Sequence, residues 1–234
     1  TRKLQNCYNQ IMKLVLSSNG FCTPAIVAKV VELAGKPQDQ INVAVINEAY
    51  AVERGDHGWV LDDLSRVKDH FGGRMELVNL LALDVTEVKA RLDTADVIFV
   101  VGGHTDYLMS VCNKTGFSTL LPDLLQDKVY VGSSAGSMII GKRVSTAAYE
   151  RIYGEEGDFG VSSYLEFVDF ALKPHLGSPL FPDNRSDVLL EVTQDLEGTL
   201  YGLADDAAII VNGDSHYIIG SEPVRIVDGE MKTA

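Results

Sequence analysis

Val129-Tyr130-Val131-Gly132-Ser133-Ser134-Ala135-Gly136-Ser137-Met138-Ile139-Ile140 is the stretch on which the reading of this chain turns. Its apolar, β-favouring start reads as a buried strand and its apolar end as the start of a helix, with G-x-S-x-G between them. Two readings are open. In one the five residues are a nucleophile elbow, a tight turn that lifts Ser134 above a sheet while small neighbours let strand and helix approach closely. In the other they are a plain Gly/Ser turn joining a strand to its helix. On the first reading Ser134 takes the exposed apex and Ser133 and Ser137 do not, and the helix amino terminus beside it favours developing negative charge.

Outward from this segment, short apolar runs alternate with helical patterns, the signature of a parallel sheet with crossover helices. Strands are expected over 13–16, 41–46, 75–78, 96–101 and 128–131, the fourth almost wholly apolar and therefore central. Thr23 before Pro24 reads as an N-cap with proline at the first helical position, and Gly35 closes that helix. Val60, Leu64, Val67 and Phe71 form one apolar helical stripe that Gly72-Gly73 ends, and 86–92 reads as a short helix. Further on, 167–172, 200–203, 207–211 and 217–219 are strand-like, with Asn212-Gly213 and Asp228-Gly229 as tight-turn signals. The expected fold class is α/β: a mostly parallel sheet flanked by helices, with an antiparallel carboxy-terminal extension. No repeat or linker divides the chain, so 12–234 is expected to be a single domain and the polar stretch 1–11 a leader or artificial remnant.

The 234 residues include 33 acidic against 20 basic ones, a formal charge of −13. A phosphate-bearing partner needs a basic surface that displaces counterions, so neither nucleic acid nor an anionic membrane is expected. No run approaches the roughly 18 to 20 apolar residues that span a bilayer. Three cysteines, Cys7, Cys22 and Cys112, without C-x-x-C spacing, point away from a disulfide framework or a structural zinc and toward a reducing cytoplasm.

A serine nucleophile needs a base, and five histidines are available. His57 and His70 lie among charged residues of an amphipathic helix, and His216 follows a hairpin signal; all three read as solvated. His104 adjoins Gly102-Gly103 at the end of the apolar strand. There the glycine amides could bind a ligand at the carboxyl edge of the sheet, or simply form a tight turn. His175 follows an apolar run and Lys173-Pro174, so a strand delivers it to a sheet edge, as a base or as a satisfied structural histidine. Lys173 and Arg185 are candidate carboxylate ligands or surface charges.

In order along the chain, Gly102-Gly103-His104-Thr105, Gly132-Ser133-Ser134-Ala135-Gly136, Lys173-Pro174-His175 and Gly202-Leu203-Ala204-Asp205-Asp206 resemble the peptidase E (aspartyl dipeptidase) and cyanophycinase family of serine peptidases. That family's fold is class I glutamine amidotransferase-like. The resemblance spans nearly the whole chain from Met12. It implies Ser134 as nucleophile, His175 as base and Asp205 as the acid that orients the imidazole, with Glu150 as a rival acid. It also implies an oxyanion hole of Gly103 and Ala135 amides, a substrate site drawing on Gly102, His104 and Arg185, a short peptide substrate, and no metal or organic cofactor. The chain departs from the family in carrying His104 where asparagine is common, and in offering only Arg185 as a basic residue over 177–185. The acid follows the histidine, opposite to an ordinary α/β-hydrolase. The other functions considered are an esterase or amidase acting through the same serine, and a non-catalytic member of the fold that binds a ligand; a homodimer is left open.

Overall fold

The computed structural model describes residues 12–232; the stretch 1–11, read as a leader, lies outside the described residues. β1 (Lys13–Ser17), α1 (Pro24–Ala34), β2 (Val43–Ile46), α2 (Gly58–Phe71), β3 (Met75–Leu77), α3 (Val85–Asp93), β4 (Val97–Val100), α4 (Thr105–Thr115), α5 (Phe117–Leu124) and β5 (Val129–Ser133) alternate as the periodicity requires. α6 (Ala135–Met138) and α7 (Thr146–Tyr153) follow, then β6 (Phe170–Lys173), α8 (Ser186–Val192), β7 (Thr199–Gly202), β8 (Ala208–Asn212), β9 (Ser215–Ile219), β10 (Val224–Val227) and β11 (Glu230–Lys232). The Thr23 hydroxyl caps α1 by accepting from the Ile26 amide, and Gly35 ends it in the left-handed conformation at φ 66°.

A seven-stranded sheet runs β3-β2-β4-β5-β1-β8-β9, parallel from β3 to β1. β8 enters antiparallel to β1, and β9 antiparallel to β8. Side chains alternate between its two faces as the pleat dictates. Val15, Val97, Phe99, Val129 and Val131 pack toward α1 and α2. Leu14, Leu16, Ile98, Val100 and Tyr130 pack on the opposite face. Each fully buried aliphatic side chain stabilises the fold by about 1.5–3 kcal/mol relative to exposure.

The expected antiparallel extension divides in two. β8 and β9 lengthen the central sheet, closed by a hairpin in which Asn212 pairs with Ser215 and Gly213 takes φ 61°. The strands expected near 167–172 and 200–203 instead leave it for a second sheet, β11-β10-β7-β6, in which β6 and β7 are parallel to one another. The Asp228-Gly229 turn, with φ 48° and 72°, joins β10 to β11 as a two-residue hairpin of the kind that needs two positive φ values. Phe170, Leu172, Leu200 and Ile226 bury the second sheet in the same apolar cluster as Tyr130. This arrangement carries the chain after β6 back over the carboxyl ends of β1 and β5.

At the β5–α6 junction the backbones nearly touch. A methyl group on Gly132 would come within 2.5 Å of the Ser137 amide nitrogen, and one on Gly136 would be driven into the Val100 carbonyl of β4. Gly136→Ala is therefore expected to lower the thermal midpoint by at least about 5 °C, the shift for about 2 kcal/mol in a domain of this size. An unchanged midpoint in a calorimetric scan would contradict the close packing described here.

Candidate active site

Ser134 sits at the apex between β5 and α6 with φ 50° and ψ −113°, a conformation that costs a non-glycine residue about 1–3 kcal/mol. Hydrogen bonds on both sides offset the strain. Its amide donates to the Ser17 carbonyl of β1 at 3.2 Å, while its carbonyl accepts from the amides of Ser137 and Met138. The Ser137 hydroxyl also donates to the Ser17 carbonyl, and the Ser17 hydroxyl to that of Gly132. Ser133 and Ser137 are thus buried beside the apex, with their side chains turned inward.

The second sheet brings the partners. Lys173 at the end of β6 lies in register with Gly202 at the end of β7, and the Leu203 amide donates to the Lys173 carbonyl. Two parallel strands ending side by side deliver His175 and Asp205 to one place. His175 Nδ1 lies 2.6 Å from Asp205 Oδ1, and His175 Nε2 lies 3.0 Å from Ser134 Oγ. With Nδ1–H donating to the carboxylate, Nε2 is left to accept the serine proton, a tautomer assigned from the network. The hydrogen bond from His175, ahead of the desolvation that opposes it, holds the Asp205 carboxyl below the usual carboxylate range. The His175 ring also lies against Phe181, centroids 5.1 Å apart.

Of the two candidate acids the structure brings Asp205 to the histidine, whereas Glu150 is exposed on α7. Gly102 lies directly beside the apex, since a methyl there would meet Ser134 Cβ at 3.0 Å. Gly103, at φ 128°, is pressed against the Ala49 carbonyl and Tyr50 amide, where no side chain fits. The Ala135 amide directly follows the serine and the Gly103 amide follows Gly102, and neither donates to a backbone carbonyl among the turn, loop and cap hydrogen bonds of the described residues.

His104 and Lys173 are placed otherwise than expected. His104 is buried, caps α4 by accepting from the Tyr107 amide through Nδ1, and has Nε2 3.0 Å from the Glu156 carbonyl, so its ring serves the fold and is not offered to a ligand. Arg185 is engaged with Asp187, Asp183 and the Pro182 carbonyl. Lys173 is fully buried, its Nζ 3.3 Å from the Tyr149 ring centroid, and is out of reach of any substrate carboxylate. His216, read as an exposed turn residue, lies on β9 with Nε2 3.1 Å from the Tyr201 hydroxyl. Among the described residues, no group of His, Cys, Asp and Glu is placed to hold a metal ion, and no helix is long and apolar enough to cross a membrane.

Two polar residues near the triad were not singled out in the sequence. Ser18 follows β1 and contacts both His175 and Asp205. Asp63 lies on α2 between apolar stripe positions, nearly buried, and pairs with Arg66, which also donates to Asn19. Burial pushes the Asp63 carboxyl up to about 6, against the opposing Arg66 charge and the Ser133 hydroxyl. A raised acid pKa means the folded state holds a proton that the unfolded chain, at about 3.9, has released. Stability therefore falls as pH rises from about 4 to about 6, and the loss is complete above that window. Relative to Asp63→Asn, the natural protein should lose about 1–3 kcal/mol of unfolding free energy between pH 4 and 7. Urea titrations at both pH values check this; an opposite trend would contradict it.

The model of peptidase family S51 matches residues 23–219. An uncharacterized peptidase of Pasteurella multocida is 25% identical over 191 residues, covering 81% of this chain and 90% of that protein. A peptidase E of Shewanella baltica is 28% identical over 164 residues, 65% of this chain and 67% of that one. A crystal structure of a peptidase E candidate from Listeria monocytogenes has the same fold, with a TM-score of 0.74 at 22% identity over 91% of this chain and 100% of that one. The chain belongs to peptidase family S51 and is a serine peptidase.

Proposed function

We propose that this peptidase cleaves short peptides through an acyl-enzyme on Ser134. The observation that carries the reading is the unbroken chain Asp205–His175–Ser134, with contacts of 2.6 and 3.0 Å. His175 Nε2 takes the Ser134 proton as Oγ attacks the scissile carbonyl, and the imidazolium formed is stabilised by the ionised Asp205. The amides of Gly103 and Ala135 hold the oxyanion. His175 then returns its proton to the departing amine, and water, activated by the same imidazole, releases the acyl group.

On substrate side chains the reading stays broad. A strict preference for an aspartyl residue calls for a free cation beside the serine. Arg185 and Arg66 are instead paired with aspartates, Lys173 is buried, and the protein has a formal net charge of −13. Free thiols at Cys22 and Cys112 support a reducing, cytoplasmic setting.

A panel of dipeptides and simple esters tests the proposal. Peptide turnover should fall by about a thousandfold or more in Ser134→Ala, and kcat by about 10³ to 10⁴ in Asp205→Asn, with little change in KM. Turnover of esters alone would favour an esterase, and undiminished turnover in Ser134→Ala would remove the nucleophile.

A further inference from the structure

Asp205 presents a difficulty for a relay. Its side chain is 43% exposed, so packing does not hold it, and it emerges from a loop three residues past β7. His175 is no better placed, since it adopts φ 66°, which a residue with a side chain holds only where its surroundings enforce it. Both residues are tied to one hydroxyl. Ser18 Oγ accepts from the His175 amide at 2.8 Å and lies 3.4 Å from Asp205 Oδ1, to which it donates. A hydroxyl has one proton to give and lone pairs to accept with, so both bonds are compatible with a single rotamer.

Ser18 is itself rigidly held. It is fully buried, and its amide donates to the Ala207 carbonyl, two residues beyond Asp205. The short loop that it opens is pinned at two further points. Arg66 on α2 donates to the backbone carbonyl and side chain of Asn19, and the Cys22 thiol donates to the Asp205 backbone carbonyl at 3.1 Å. The loop therefore grips Asp205 by its backbone and its carboxylate, and grips His175 by its amide. We infer that Ser18 is a positioning residue for the relay, which holds the His175 backbone and the Asp205 carboxylate in mutual register so that Nε2 faces Ser134. It touches neither the serine oxygen nor, by this assignment, the substrate.

The inference rests on the triad reading, and its test separates the two. The rate of Ser134 modification by a small fluorophosphonate depends on the relay and not on peptide binding. In Ser18→Ala this rate and kcat should both fall about 10- to 100-fold, the cost of misplacing a catalytic group by a fraction of an ångström to an ångström, while KM stays within about twofold. The low-field proton resonance of the His175–Asp205 bond should weaken or disappear. Ser18→Thr, which keeps the hydroxyl, should recover most of the labelling rate. In an Asp205→Asn background, Ser18→Ala should cost much less than it does alone, because the group it positions is already impaired.

Thermal melting of each variant identifies a folding defect; should Ser18→Ala fail to fold, a labelling rate in Ser18→Thr close to the natural one supports the assignment and a tenfold loss there counts against it. A folded Ser18→Ala labelled at the natural rate, with its low-field resonance intact, would overturn the assignment while leaving the triad standing. A natural protein that the fluorophosphonate does not label would overturn the nucleophile reading, and the role of Ser18 with it.

Discussion

The backbone turn at Ser134 is the constraint from which the architecture above the sheet follows. A residue with φ 50° and ψ −113° persists only where its neighbours leave it nowhere else to go. Here Gly132 and Gly136 bring strand and helix into backbone contact, and the Ser17 carbonyl of β1 takes both the Ser134 amide and the Ser137 hydroxyl. The neighbouring parallel strand thus completes the turn. The serine oxygen is presented at the carboxyl edge of the sheet, where open α/β folds bind their ligands.

A single sheet would leave that oxygen without a neighbouring imidazole. The second sheet supplies one, because β6 and β7 run parallel and end in register, so that residues shortly beyond each end meet over β1 and β5. The polar surroundings then divide into two roles. His104, Glu155, Lys173 and Arg143 lie on the α4 and α7 side and build the scaffold: Glu155 accepts from the Thr105 amide and hydroxyl, and Arg143 pairs with Asp106. Ser18 and Cys22 contact Asp205 on the other side, where Asn19 accepts from Arg66.

Much of the central sheet was legible because its signals are local. Buried parallel strands appear as continuous apolar runs, the first helix is bounded by Thr23-Pro24 and Gly35, and the elbow compresses its glycines into five residues. The strands β6 and β7 were legible as apolar runs, but their departure into a second sheet was not, since the parallel pairing of β6 with β7 joins residues more than twenty positions apart. α7 went unread although Ser145, whose hydroxyl accepts from the Ala148 amide, marks its start. Within the site, Ser134, His175 and Asp205 could be named from motif order. Ser18 could not: a serine after a strand looks like any other until the fold sets His175 above it. His104 misled for a related reason, as a polar residue after paired glycines suits a ligand contact and a helix cap equally.

The proposed chemistry depends on one atom, the Ser134 oxygen, 3.0 Å from His175 Nε2. Proteolytic mapping by mass spectrometry after treatment with a fluorophosphonate tests that claim most directly. The account predicts one adduct per chain, on Ser134, with loss of peptidase activity in proportion to its formation. An adduct on Ser133, Ser137 or another residue in step with inactivation, or full activity in a protein fully modified at Ser134, would contradict it.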